Sequence, residues 1–410
     1  MTTSATHRPS GRTPARRVLT RIGATGAGLL MFAVIGPSPA GAAPDAADRR
    51  PPVATTSDRT PAPIGPFHRL GTTTVHLVDH GRPDPWVPAS GDRQLMVSLL
   101  YPAVATPGPE ARYVSRTLAP AIREWGVPGV PVADRAAVRV ERLRGHAVVD
   151  APPALVPGGR PLVILSPGFE LSRTSLTTLA EELASRGYVA AVVDHPYEAP
   201  VELPGGEVTP CAVCGGRDPA LGLAVVRSRT ADLRFVLDVL GRRPLSRLVD
   251  TGRVAVVGHS IGGASAVEVA RSDPRFDAAV NLDGMFFAAL PTRQPDVPVM
   301  LVSQGVPTAG PQAGWTEAWA ALAGPRRWLD VTGAGHYTFA DTAWVLDRFG
   351  VRDTVPQDVA GLFYGTLDGT RGIAITRAYV VAFLDRHLRG MPARLVDAPS
   401  PAYPEVTFVG

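Results

Sequence analysis

Val254-Ala255-Val256-Val257-Gly258-His259-Ser260-Ile261-Gly262-Gly263-Ala264 joins an apolar, β-branched run to a stretch of helical spacing through one serine. Four consecutive apolar residues suit a strand covered on both faces, and Ile261 to Ala270 reads as the helix that follows. Gly258-His259-Ser260-Ile261-Gly262 fits G-x-S-x-G, a weak signal alone. Its setting strengthens it, because a nucleophile elbow needs a strand, a sharp turn bearing serine and a helix, with glycine where side chains would collide. Gly262, Gly263 and Ala264 keep the helix start slim, so backbone N–H groups can approach a substrate oxygen where the helix dipole favours negative charge. The competing reading, a capping serine in a glycine-rich turn, fits this flanking pattern less well.

Outward from this turn the alternation continues. Upstream, Pro161 to Ser166 and Tyr188 to Asp194 read as strands, with helices over Leu176 to Arg186 and from about Leu223 to Leu240. Downstream come strands Ala278 to Leu282, Val297 to Ser303 and Arg327 to Val331, and a helix of about Ile375 to Leu388 before a Pro-rich tail. Such alternation predicts a three-layer α/β domain with a mostly parallel central sheet and ligands at the carboxyl ends of its strands. Thr73 to Val78 and Gln94 to Tyr101 suit two further strands. About Pro102 to Gly159 reads as an insertion, with partial helix around Arg135 to Arg144.

At 410 residues and 45% hydrophobic, the chain can bury one large core. The formal charge of +4 misleads, because Arg8, Arg12, Arg16, Arg17 and Arg21 precede Ala42 with no acid among them; without those five the balance is −1. No basic excess remains to drive phosphate binding, which argues against nucleic acid as a partner. Residues 1–42 have an Arg-rich start, an apolar run from Ile22 to Gly36 and a small-residue end, Pro39-Ala40-Gly41-Ala42, the layout of an export signal. The apolar run is shorter than the ~20 residues of a membrane span, so no stable anchor is expected. Arg16-Arg17-Val18-Leu19 leaves both the general secretory and the twin-arginine route open. Residues 43–65 read as a flexible linker and 66–410 as the catalytic domain. The chain holds two cysteines, Cys211 and Cys214, for which a local disulfide is expected outside the cytoplasm. No further cysteine or His-x-x-His pair completes a zinc site, so no metal is expected.

Serine needs a base. His336 follows the strand Arg327 to Val331 in Thr332-Gly333-Ala334-Gly335-His336, a loop small enough to turn an imidazole toward the elbow. His195 also ends a strand and is a candidate to line the site, but it precedes Ser260, against the order serine, acid, histidine. The strand ending at Ser303 continues Gln304-Gly305-Val306 without a carboxylate, whereas Asp283 closes the neighbouring strand in Asn281-Leu282-Asp283-Gly284 and is the expected acid. Asp296 and Asp330 are worse placed. The oxyanion donors are expected at the backbone N–H of Ile261 and, in Ser166-Pro167-Gly168-Phe169, at that of Phe169. Met285, Phe286 and Phe287 are candidates for an apolar acyl wall, with core packing an equal alternative.

Together, Ser166-Pro167-Gly168-Phe169, Ala184-Ser185-Arg186-Gly187-Tyr188, Gly258 to Gly263, Leu282-Asp283-Gly284-Met285-Phe286 and His336-Tyr337-Thr338-Phe339-Ala340-Asp341 resemble the plasma-type platelet-activating factor acetylhydrolases and their bacterial esterase relatives. The resemblance spans about Pro66 to Leu388 and implies the α/β-hydrolase fold. It also implies calcium-independent hydrolysis of short or oxidised acyl esters, without a cofactor, by Ser260, Asp283 and His336, with Phe169 and Ile261 as oxyanion donors. The insertion from Pro102 to Gly159 and the Cys211 to Cys214 loop depart from the family pattern. Polyester-degrading cutinases share the Ser-Pro-Gly-Phe type of turn but are expected to carry their acid after the strand ending near Ser303. The function expected is therefore a secreted serine esterase acting on an ester or lipid substrate. A broader lipase, peptidase or polyester hydrolase, and a catalytically silent ligand-binding protein, are the alternatives. No motif fixes an oligomeric state.

Overall fold

A computed structural model describes residues 58–216, 218–287, 296–305 and 314–409. In chain order the strands are β1 (Leu70–Pro83), β2 (Asp92–Pro102), β3 (Glu110–Arg112), β4 (Arg144–Val149), β5 (Arg160–Ser166), β6 (Val189–Asp194), β7 (Val201–Glu202), β8 (Val208–Thr209), β9 (Val249–His259), β10 (Ala278–Leu282), β11 (Val299–Ser303), β12 (Arg326–Val331) and β13 (Val406–Phe408). The helices are α1 (Ala119–Trp125), α2 (Val132–Arg135), α3 (Thr177–Ser185), α4 (Pro219–Leu240), α5 (Ile261–Ser272), α6 (Trp315–Ala321), α7 (Thr342–Phe349), α8 (Gln357–Phe363) and α9 (Gly369–Arg389).

Among the described residues, eleven strands form one sheet in the order β13-β12-β11-β10-β9-β5-β6-β2-β1-β4-β3. From β6 to β12 every pairing is parallel, so the carboxyl ends of six strands share one rim. The continuous apolar runs divide their side chains between two layers, as a doubly covered sheet requires. Leu162 and Ile164 of β5 and Val254 and Val256 of β9 meet α4 and α5 through Leu233, Val236, Ala266 and Val267. Val163 and Leu165, with Ala255 and Val257, face α3 and α9 through Leu179, Leu183, Val380 and Phe383. The fold is thus the predicted three-layer α/β arrangement.

Three sequence expectations change. The first concerns residues 43–65: those up to 57 lie outside the described residues, but Asp58 to Gly65 are docked rather than flexible. Thr60 Oγ1 donates to Glu181 at 2.9 Å, and Arg377 donates to the carbonyls of Pro61 and Ala62 at 2.9 Å each. The stretch Arg135 to Arg144 is not a helix, because α2 ends at Arg135, a 3-10 turn covers Val140–Arg142, and β4 begins at Arg144. Its apolar residues Val138, Val140 and Leu143 are instead pinned in a cluster with Leu171, Tyr337, Trp344 and Leu346, which ties the insertion to the segment that follows His336. Lastly, the Pro-rich tail supplies β13, an edge strand antiparallel to β12. The expected export signal, 1–42, lies outside the described residues.

Candidate active site

β9 ends at His259 and α5 begins at Ile261, so Ser260 alone makes the turn, at φ 55° and ψ −129°. A non-glycine residue held there stores strain, the mark of a position fixed by its surroundings. Two of them are close backbone approaches: a Cβ at Gly258 would overlap the Gly262 backbone, and one at Gly262 would overlap the Ser166 carbonyl. The glycines of the motif are therefore required by contact.

His336 Nε2 lies 2.9 Å from Ser260 Oγ, and His336 Nδ1 lies 2.6 Å from Asp283 Oδ2. The other carboxylate oxygen of Asp283 accepts the Gln304 N–H at 3.2 Å. Serine, imidazole and carboxylate thus form one chain across the rim from β9 to the loop after β12, with Asp283, at φ 56°, turned under the imidazole. Burial lowers the His336 imidazole to about 4, which keeps it neutral and able to accept a proton at neutral pH. Burial also pushes the Asp283 carboxyl up, against the Gln304 N–H that holds it down.

The first N–H of a helix has no intrahelical acceptor by position, and Ile261 occupies that place in α5. Phe169 follows the turn after β5 and packs, half-buried, beside Ile261, Ala264, Val225 and Val226, together with Trp86, Leu221 and Phe287. Of the three candidates for an acyl wall, Phe287 joins this cluster. Phe286 does not: its ring stands 6.2 Å from that of Trp315, on the core side. Met285 is half-buried. Cys211 and Cys214 are joined in a disulfide with Cα atoms 5.5 Å apart. Their loop reaches the turn, since Gly215 N–H donates to Glu170 Oε1 at 2.8 Å. Among the described residues no three His, Cys, Asp or Glu side chains gather as a metal would require.

His195 does not line the site. It is wholly buried beneath the turn, with Nε2 3.0 Å from Ser166 Oγ and Nδ1 2.8 Å from Asp232 Oδ2. His259 points away from solvent, and its Nε2 bonds the backbone oxygen of His336 at 2.7 Å, which pins the loop that carries His336. Sequence reasoning passed over Asn281, whose side-chain amide both donates to and accepts from the Gly284 backbone at 2.8 and 2.7 Å and so shapes the turn carrying Asp283. It also missed Gln304 and Arg229. Asn281 had a local signal, an Asn two residues before an Asp-Gly turn; the backbone contact of Gln304 had none.

The family described as "Platelet-activating factor acetylhydrolase, isoform II" matches residues 236–391. A probable 1-alkyl-2-acetylglycerophosphocholine esterase of Arthroderma benhamiae is 26% identical over 372 residues, which cover 85% of this chain and 93% of that one. A bis(hydroxyethyl) terephthalate hydrolase of Streptomyces coelicolor is 28% identical over 182 residues, 43% of this chain and 50% of that one. Among solved structures, a ferulic acid esterase from Streptomyces cinnamoneus is 48% identical, with 86% of this chain and 99% of that chain covered and a TM-score of 0.78.

Proposed function

From the premise that this chain belongs to the platelet-activating factor acetylhydrolase-like esterases of the α/β-hydrolase type and is a carboxylic ester hydrolase, we propose that it works through an acyl-enzyme on Ser260. His336 takes the Ser260 proton as the oxygen attacks the ester carbonyl, and Asp283 holds the imidazole in the tautomer whose Nε2 accepts and stabilises the imidazolium. The N–H groups of Ile261 and Phe169 receive the developing oxyanion. Collapse expels the alcohol with the proton from His336; water, deprotonated by the same imidazole, then releases the acid.

The observation that carries this reading is the unbroken hydrogen-bond chain from Ser260 Oγ through His336 to Asp283 at the shared strand rim. The proposal extends to a secreted protein in which residues 1–42 act as the export signal and 66–410 as the catalytic domain, on the strength of the Arg-rich start, the apolar run Ile22 to Gly36 and the Ala40-Gly41-Ala42 end.

The substrates proposed are short-acyl lipid or phospholipid esters. A second reading, esters of aromatic acids, is favoured by the ferulic acid esterase neighbour and by the aromatic rings of Trp86, Phe169 and Phe287 around Ile261. A panel of p-nitrophenyl esters of rising acyl length, a short-acyl phospholipid and methyl ferulate separates them by kcat/KM. Preference for acetyl over longer acyl groups, with turnover of the phospholipid, is expected from the first reading. Methyl ferulate as the best substrate would replace it with the second, and preference for long acyl chains would overturn both.

A further inference from the structure

Beneath the turn after β5 lies a buried polar cluster that the catalytic chain does not use. α4 presents Arg229 and Asp232 three residues apart on one helical face, β6 ends beside His195, and the β1–β2 hairpin adds Asp84 and Arg93. Arg229 Nε donates to Glu198 at 2.6 Å. Its Nη1 donates to the carbonyl of Pro167 and, at 3.4 Å, to Ser166 Oγ, and Nη2 reaches the carbonyl of Gly168 at 3.4 Å. Asp232 accepts from Arg93 Nη2 at 2.8 Å and from His195 Nδ1 at 2.8 Å. Burial works against the Asp232 carboxylate, but the charge of Arg93 holds it well below the usual range; burial and Arg229 lower His195, which is therefore neutral. With its Nδ1–H on Asp232, His195 must accept the Ser166 hydroxyl proton at Nε2, which leaves the Ser166 oxygen free to accept from Arg229. Ser166, His195 and Asp232 thus repeat the residue types of a catalytic triad, but Ser166 and Asp232 are fully buried and His195 is 2% exposed, so none of the three meets a substrate.

The covalent geometry of the turn gives this cluster a consequence. In a trans peptide the C=O of one residue and the N–H of the next point in opposite directions. The Gly168 carbonyl faces Arg229, so the N–H of Phe169, in the same peptide plane, faces away from Arg229. The guanidinium also polarises that peptide, which makes its N–H a stronger donor in a low-dielectric setting.

We propose that Arg229 is a positioning residue for the esterase reaction: by holding the Pro167 and Gly168 carbonyls it aims the Phe169 N–H at the oxyanion, while the Ser166–His195–Asp232 relay fixes the turn from below. This rests on the reading of Phe169 as an oxyanion donor. Such a residue stabilises the transition state more than the bound ester, so its loss falls on kcat.

The test compares wild type with Arg229→Lys, which keeps the charge and loses the planar fork, and with Arg229→Met combined with Glu198→Gln, which avoids leaving the buried Glu198 carboxylate with only the more distant Arg93, 3.7 Å away, as its counter-charge. Active sites are counted by fluorophosphonate titration so that unfolded protein does not enter kcat. Loss of one oxyanion donor costs about 10²–10³ in rate, and misaiming it less, so kcat is expected to fall about 10- to 100-fold. KM should stay within about threefold, while phenylboronic acid, a tetrahedral mimic, loses affinity in step with kcat. Gly168-Phe169 is the only Gly-Phe pair in the chain, so carbonyl-¹³C glycine with ¹⁵N phenylalanine gives a single amide signal. In wild type this signal should move downfield on boronate binding, and in the variants it should move less. A wild-type signal that does not respond overturns the donor reading and this inference with it. A full wild-type response that both variants retain, with kcat unchanged per titrated site, overturns the role of Arg229 alone.

Discussion

Replacing Asp283 by asparagine changes a single atom in size but reverses the hydrogen-bond logic of the site. One carboxylate oxygen accepts the Gln304 N–H at 3.2 Å and the other faces His336 Nδ1 at 2.6 Å. An asparagine must keep its oxygen toward Gln304, because its NH₂ cannot accept. Its amide then donates to His336 Nδ1, and the imidazole proton moves to Nε2. That nitrogen lies 2.9 Å from Ser260 Oγ and, once protonated, cannot take the serine proton. The wrong tautomer in a serine triad costs about 10⁴ in kcat, and each tenfold is about 1.4 kcal/mol of barrier. A loss of about 10³–10⁴ is expected for Asp283→Asn, or about 4–5.5 kcal/mol, with KM little changed. Initial rates on p-nitrophenyl acetate, followed up to saturating substrate, read it. Asp330, whose carboxylate instead receives Ser303 Oγ and the Gly305 N–H, is the control, and Asp330→Asn should keep near wild-type kcat per active site. Less than a tenfold loss in Asp283→Asn, or an equal loss in Asp330→Asn, would refute the assignment of the acid.

Burial lowers His336 to about 4 from an ordinary 6.5, and the base acts in its deprotonated form, so kcat/KM should hold through pH 6 and fall only as pH drops toward that value. A pH–rate profile half-maximal at 6.5 or above would contradict this. Phe287 packs with Ile261 and Ala264 while Phe286 turns to Trp315. Phe287→Ala should therefore raise kcat/KM for butyrate relative to acetate by about tenfold, whereas Phe286→Ala should lower the melting temperature and leave that ratio alone.

The central sheet was legible because its parallel strands are continuous apolar runs, several of them followed by helical spacing, and the structure moves their bounds by only a few residues: Ala278–Leu282 is unchanged, and the run Val254 to Val257 grows to Val249–His259. Ser260 and Asp283 could be placed because each directly follows such a run, and His336 because it lies in the short glycine-rich loop after one, where topology rather than contact decides position. The insertion was not legible, since Val138, Val140 and Leu143 are buried against Tyr337 and Trp344, which lie about two hundred residues away in sequence. The same holds for Arg229 and His195, whose partners come from α4, β5, the turn after β5 and the loop after β6. Charged residues inside an apolar pattern read as surface until a fold brings their counter-charges to them.

The most direct test of the account is covalent. A fluorophosphonate added to the wild-type protein should modify one site per chain, with tandem mass spectrometry placing the adduct on Ser260, and Ser260→Ala should neither be labelled nor turn over p-nitrophenyl acetate above the rate of solvent. Labelling at another residue, or hydrolysis by Ser260→Ala at the wild-type rate, would contradict it.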